Sequence, residues 1–67
     1  MGLHKWSTYK EENKKAGYSI EYKYCRRCGV VKDLLFKIPD MELYIGETNL
    51  ENARNLFEGI LRKEGLI

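Results

Sequence analysis

Two cysteines, one histidine and one proline are all that this chain of 67 residues contains of those types. Cys25 and Cys28 make at most one short bridge, so the disulfide framework that holds many small secreted domains is excluded. No apolar run approaches the roughly 18 residues of a membrane span. Met1-Gly2-Leu3-His4-Lys5-Trp6 lacks the apolar stretch of a signal peptide. These absences point to the cytoplasm, where a lone CxxC more often holds metal than forms a structural disulfide. A Ser/His/Asp set, a phosphate-cradling glycine loop and a catalytic carboxylate pair are missing too, so no enzyme is expected. Nor is there an internal repeat, a low-complexity tract or a linker, and residues 1–67 are expected to form one small domain. A domain this short buries a modest core and commonly needs a metal or a partner to supplement it.

What is present argues for a folded chain: 43% of the residues are hydrophobic and 12% aromatic, too many for a disordered polymer. Net charge is +2, unevenly spread. Residues 1–37 hold nine Lys/Arg against four Asp/Glu, and residues 38–67 hold three against six. A basic front and an acidic back would orient the molecule on a polyanion.

The apolar pattern predicts an α+β domain, an antiparallel meander backed by one C-terminal helix. Tyr18, Ile20, Tyr22 and Tyr24 alternate with polar residues over 18–24, the period of a half-buried strand. Val30, Leu34, Phe36 and Ile38 give a second strand over 30–38, and Met41, Leu43 and Ile45 a third over 41–46. A fourth strand fits residues 3–9, with the polar stretch 10–17 as a loop. Thr48 and Glu51 have the spacing of a capping box, which opens a helix over 49–64 with an apolar stripe of Leu50, Ala53, Phe57, Ile60 and Leu61. Gly65 suits the left-handed end of that helix, whereas Gly59 within it suggests a close approach to the sheet. The tyrosines at 18, 22 and 24 are expected to face the helix as core, the alternative being an aromatic platform with Trp6 and Tyr9 for stacking single-stranded bases.

Cys25-Arg26-Arg27-Cys28-Gly29 falls at the tip between the first two of these strands. Two cysteines separated by two residues can point both sulfurs at one metal, and zinc seeks four such soft or imidazole donors. Gly29 permits positive φ, and Arg26 and Arg27 favour the thiolates that the metal requires. The knuckle is thus a candidate half-site for zinc, with a redox CxxC as the competing reading.

Leu3-His4-Lys5-Trp6 together with Tyr24-Cys25-Arg26-Arg27-Cys28-Gly29-Val30 resembles small zinc-ribbon-like proteins of phages and prokaryotes. Those carry an early Cys, a His followed by Lys-Trp, and a later CxxCG knuckle. The resemblance spans about the first half of the chain and places His4, Cys25 and Cys28 on three ligand positions; the early Cys has no counterpart here. The fourth position is then open to water, to Glu21 or Asp33, or to a second chain, with one zinc held per chain or shared through the cysteines of a homodimer. Leu43-Tyr44-Ile45-Gly46 followed by the capped helix is similar, in addition, to the sheet-and-helix end of AP2-type and integrase arm-type DNA-binding domains. Two functions follow as expectations. One is a nucleic-acid-binding module using Lys5, Lys23, Arg26, Arg27 and Lys32; the other is a small regulator or inhibitor that binds a protein partner, with zinc only structural.

Overall fold

A computed structural model describes residues 4–67. The chain runs β1 (Trp6–Asn13), β2 (Tyr18–Cys25), β3 (Val30–Ile38), β4 (Met41–Asn49) and α1 (Leu50–Lys63). The four strands form one antiparallel meander in sequence order, and the helix packs across β3 and β4. This is the α+β arrangement expected, with the fourth strand, offered for residues 3–9, present as β1 over Trp6–Asn13. Among the described residues no helix is long and apolar enough to cross a membrane.

Tyr18, Ile20, Val31, Leu34, Phe36 and Ile38 of the sheet meet Ala53 and Leu61 of the helix in the core. Phe36, 1% exposed, lies at its centre, opposite Ile20 on β2 and Leu43 on β4, with its ring centroid 6.3 Å from that of Phe57. Tyr22 and Tyr24 are half-buried against this core, because α1 lies over the other half of the sheet. Only Tyr18 of the three tyrosines is fully a core residue.

Several details differ from the pattern-based expectation, each for a local reason. Residues 10–13 are strand, not loop. Lys10 pairs with Glu21 and Glu11 with Ile20, and the Glu11 carboxylate accepts the Tyr9 hydroxyl at 2.6 Å and the Tyr18 hydroxyl at 3.4 Å. That hydrogen bond, more than burial, pushes the Tyr9 pKa up to about 12. The turn is confined to residues 14–17 and closes on Gly17 at φ +85°.

The second difference lies in β3, where Val31 rather than Val30 is buried with Leu34, Phe36 and Ile38. Asp33 sits at φ +54°, and the β2–β3 register shifts by one residue between Glu21 and Lys23. A bulge at this point adds a residue to β3 and switches which parity faces the core.

Strand β4 continues through Gly46 to Asn49 because Thr48 pairs with Val31 and Asn49 with Val30. Asn49 therefore replaces Thr48 as N-cap; its side-chain oxygen accepts the Asn52 N–H at 2.8 Å. At the other end, Gly65 at φ +72° closes the helix, with its N–H on the Arg62 carbonyl and that of Leu66 on the Leu61 carbonyl. Gly59 is exposed, and a Cβ placed there meets nothing within 4 Å, so close packing does not account for it.

Candidate metal centre

The knuckle is built by the hairpin that joins β2 to β3. Gly29, at φ +78°, turns its N–H back onto the Cys25 carbonyl at 2.9 Å, closing the loop as the sequence suggested. The Arg27 N–H donates to Cys25 Sγ at 3.4 Å. Strand β1 supplies the third side. Trp6 pairs with Cys25, and the Arg26 N–H donates to the Lys5 carbonyl at 2.9 Å, so His4 is delivered directly beside the two sulfurs. Leu3 of the sequence motif lies outside the described residues.

His4 Nδ1 stands 3.2 Å from Cys25 Sγ and 3.5 Å from Cys28 Sγ. All three donor atoms lie within 4.8 Å of one another. A tetrahedral zinc, with bonds of about 2.3 Å to sulfur and about 2.0 Å to nitrogen, holds its donors about 3.5–3.8 Å apart. The triangle is thus close enough to take a metal ion with small adjustments. Both cysteines are free thiols; Cys25 is fully buried, whereas His4 and Cys28 are exposed.

Burial of Cys25 favours the neutral thiol, yet its pKa falls to about 6. The hydrogen bond with His4 and backbone hydrogen bonds from Cys28, Lys5 and Arg27 outweigh the burial and stabilise the thiolate. A thiolate at neutral pH is the form that binds metal.

Neither carboxylate considered as fourth ligand belongs to this cluster. Asp33 instead accepts the Tyr44 hydroxyl at 2.8 Å, which pushes the phenol pKa upward. Glu21 lies further along β2, across from Lys10.

The basic residues singled out in the sequence gather near the same end. Arg26 and Arg27 are exposed on the turn and Lys5 on the segment leading into β1. Lys23 and Lys32 stand directly opposite each other on β2 and β3. The Lys32 ammonium lies over the Trp6 ring, 5.4 Å from its centroid, and the His4 ring lies beside the same indole at a centroid distance of 5.1 Å. Trp6 is still 42% exposed. The Lys23/Lys32 opposition was not readable beforehand, since it depends on the bulge; the core switching from Val31 to Leu34 is the trace it leaves in the sequence.

The basic front and acidic back of the sequence do not become two faces of the molecule. Antiparallel pairing sets Glu47 opposite Lys32 and Glu42 opposite Lys37, the latter as an ion pair of 3.5 Å. Lys10 likewise faces Glu21. The sheet surface away from the helix is accordingly mixed in charge along most of its length. Lys5, Arg26 and Arg27, all exposed, add positive charge at the knuckle end.

His4→Ala should lower metal affinity by more than about 100-fold, since loss of an outer-shell partner alone costs 10–100-fold. The same change removes a ring neighbour of Trp6, so tryptophan emission should shift on mutation and stop responding to added metal. A metal titration followed by fluorescence checks both outcomes.

No protein-family model, curated protein or solved structure matches the chain.

Proposed function

We propose that this chain is a small zinc-stabilised module that binds nucleic acid through the surface around its Cys25–Gly29 turn. One imidazole and two thiolates form a donor set that suits zinc better than the hard cations. The reading of the partner rests on one observation, the Lys23/Lys32 cross-strand pair beside an exposed indole. Like charges placed directly opposite each other disfavour a sheet; Glu47, on the other side of Lys32, offsets part of this, and a phosphate bound between the lysines would relieve the rest. The Trp6 ring offers a stacking surface for a base, an interaction worth about 1–3 kcal/mol. Arg26, Arg27 and Lys5 extend the contact to neighbouring phosphates. The role proposed is binding rather than catalysis.

A specific observation also favours a protein partner. Tyr9 stacks on Tyr22 at 5.2 Å, and Tyr22 meets Tyr24 edge-on at 6.0 Å, on the part of the sheet next to the helix. Tyr9 is 37% exposed there, an aromatic row of the kind that protein interfaces use.

Titration of the zinc-loaded chain with duplex and single-stranded oligonucleotides separates the two readings. Affinity for nucleic acid should fall steeply with salt, because each neutralised phosphate releases condensed counterions. Lys23→Ala, Lys32→Ala, Arg26→Ala and Arg27→Ala should each weaken binding and reduce the salt slope by about one phosphate. An absence of binding at low salt transfers the function to the protein-binding surface.

A further inference from the structure

We infer that the metal centre keeps its fourth coordination position for a thiolate that this chain does not supply. The inference rests on the zinc reading above. Cys25, Cys28 and His4 are every cysteine and histidine of these 67 residues, which thus offer three thiolate or imidazole donors. Met1, Gly2 and Leu3 add no carboxylate side chain either. Among the described residues, no Asp or Glu joins the three within the 4.8 Å that encloses them. Asp33, on β3 beyond the knuckle, holds the Tyr44 hydroxyl instead, and Glu21, on β2 before it, lies across from Lys10. Structural zinc sites are closed by four protein ligands, whereas three leave a position for a ligand from outside.

Access and charge indicate what that ligand is. Cys25 forms a buried floor, and His4 and Cys28 are exposed, so the centre opens at the surface of the knuckle end. Two thiolates and a neutral imidazole cancel the charge of a divalent zinc, leaving the attraction for an anion to its surroundings. Those surroundings are Lys5, Arg26, Arg27 and Lys32, all exposed and all cationic. A thiolate is both anionic and soft, and it completes a Cys3His set, one of those found in closed structural zinc sites. In the ligation step the incoming thiol gives its proton to solvent, its sulfur bonds to the metal and a water leaves; nothing is oxidised or reduced. A low-molecular-weight thiol and a cysteine of a partner protein present the same chemistry.

The test uses the full chain loaded with cobalt, whose absorption reports its ligands. Separate samples are titrated with glutathione, with a blocked peptide bearing one cysteine, with S-methylglutathione, with imidazole and with inorganic phosphate. The sulfur-to-cobalt charge-transfer absorption should grow by about half, saturating at one thiol per chain, as two thiolates become three. The S-methyl derivative should leave it unchanged. A stronger response to the peptide than to glutathione assigns the ligand to a protein; the reverse assigns it to a small thiol. A cobalt-loaded chain whose spectrum ignores both thiols overturns the proposal, as does a response to phosphate or imidazole in their place. Doubling of the mass on metal loading also overturns it, since a second copy then closes the site. Failure to bind cobalt or zinc at all is a distinct result, and it removes the zinc reading itself.

Discussion

Complete removal of the metal by a strong chelator should unfold or loosen the β2–β3 hairpin, and Cys25→Ser or Cys28→Ser should do the same. A structural zinc contributes on the order of 10 kcal/mol in small modules, and an entire domain is stable by only about 5–15 kcal/mol. The two cysteine variants control for each other. Cys25 is buried, so its serine variant also places a hydroxyl in a packed position; Cys28 is exposed, so its variant leaves the packing undisturbed and acts at the donor cluster. Thermal unfolding followed by circular dichroism, with and without zinc, measures the effect. An unchanged melting temperature after complete chelation would remove the structural role of the metal.

The largest effect expected away from the metal follows from Phe36→Ala. Phe36 is 1% exposed and sits between Ile20 and Leu43 on the neighbouring strands, under Phe57 of the helix. Truncation of a buried phenylalanine costs about 3–5 kcal/mol through lost burial and the cavity left behind. In a domain this small that loss consumes much of the folding free energy. The denaturant midpoint of the zinc-loaded chain should drop sharply, and the variant should be largely unfolded once the metal is removed. Tyr44→Ala provides the contrast: at 62% exposed, it loses the hydrogen bond to Asp33 and a strand-favouring ring, and should cost only about 1 kcal/mol. Equal losses from the two variants would show that the core does not hold this domain.

Much of the fold was legible because the relevant signals are local. The alternation from Tyr18 to Tyr24 places β2, and the glycine after Cys28 marks the turn. The apolar spacing from Ala53 to Leu61, ended by Gly65, places the helix. The misreadings came where cross-strand pairing outweighed local composition. Lys10, Glu11, Glu12 and Asn13 read as a polar loop, yet each finds a partner on β2. Thr48 reads as a cap, but the ladder to Val31 claims it and the cap moves to Asn49. The extra residue at Asp33 hides the true phase of β3, and with it the facing of Lys23 and Lys32. For the centre itself, the cysteine pair was evident from spacing alone. His4 is 21 residues from Cys25, and only the pairing of β1 with β2 brings the two together. The charge split failed as a map of faces because a meander interleaves its strands, setting acidic β4 against basic β3.

The Leu50 N–H donates to the Gly29 carbonyl at 2.9 Å. That single bond ties the first residue of α1 to the loop that carries the sulfurs. A helix begins with four amide protons that its own turns cannot satisfy, and here one of them is held by the knuckle. Order in the turn and order in the opening turn of the helix are therefore one cooperative unit, even though 20 residues of chain separate Gly29 from Leu50. Amide hydrogen exchange would reveal it as matched protection: the Leu50 proton should exchange at the rate of the Gly29 and Arg26 protons, in step with metal occupancy, and faster than protons deeper in the helix near Leu61. Ligation at one end of the sheet is in this way felt by a segment that contributes no ligand to it.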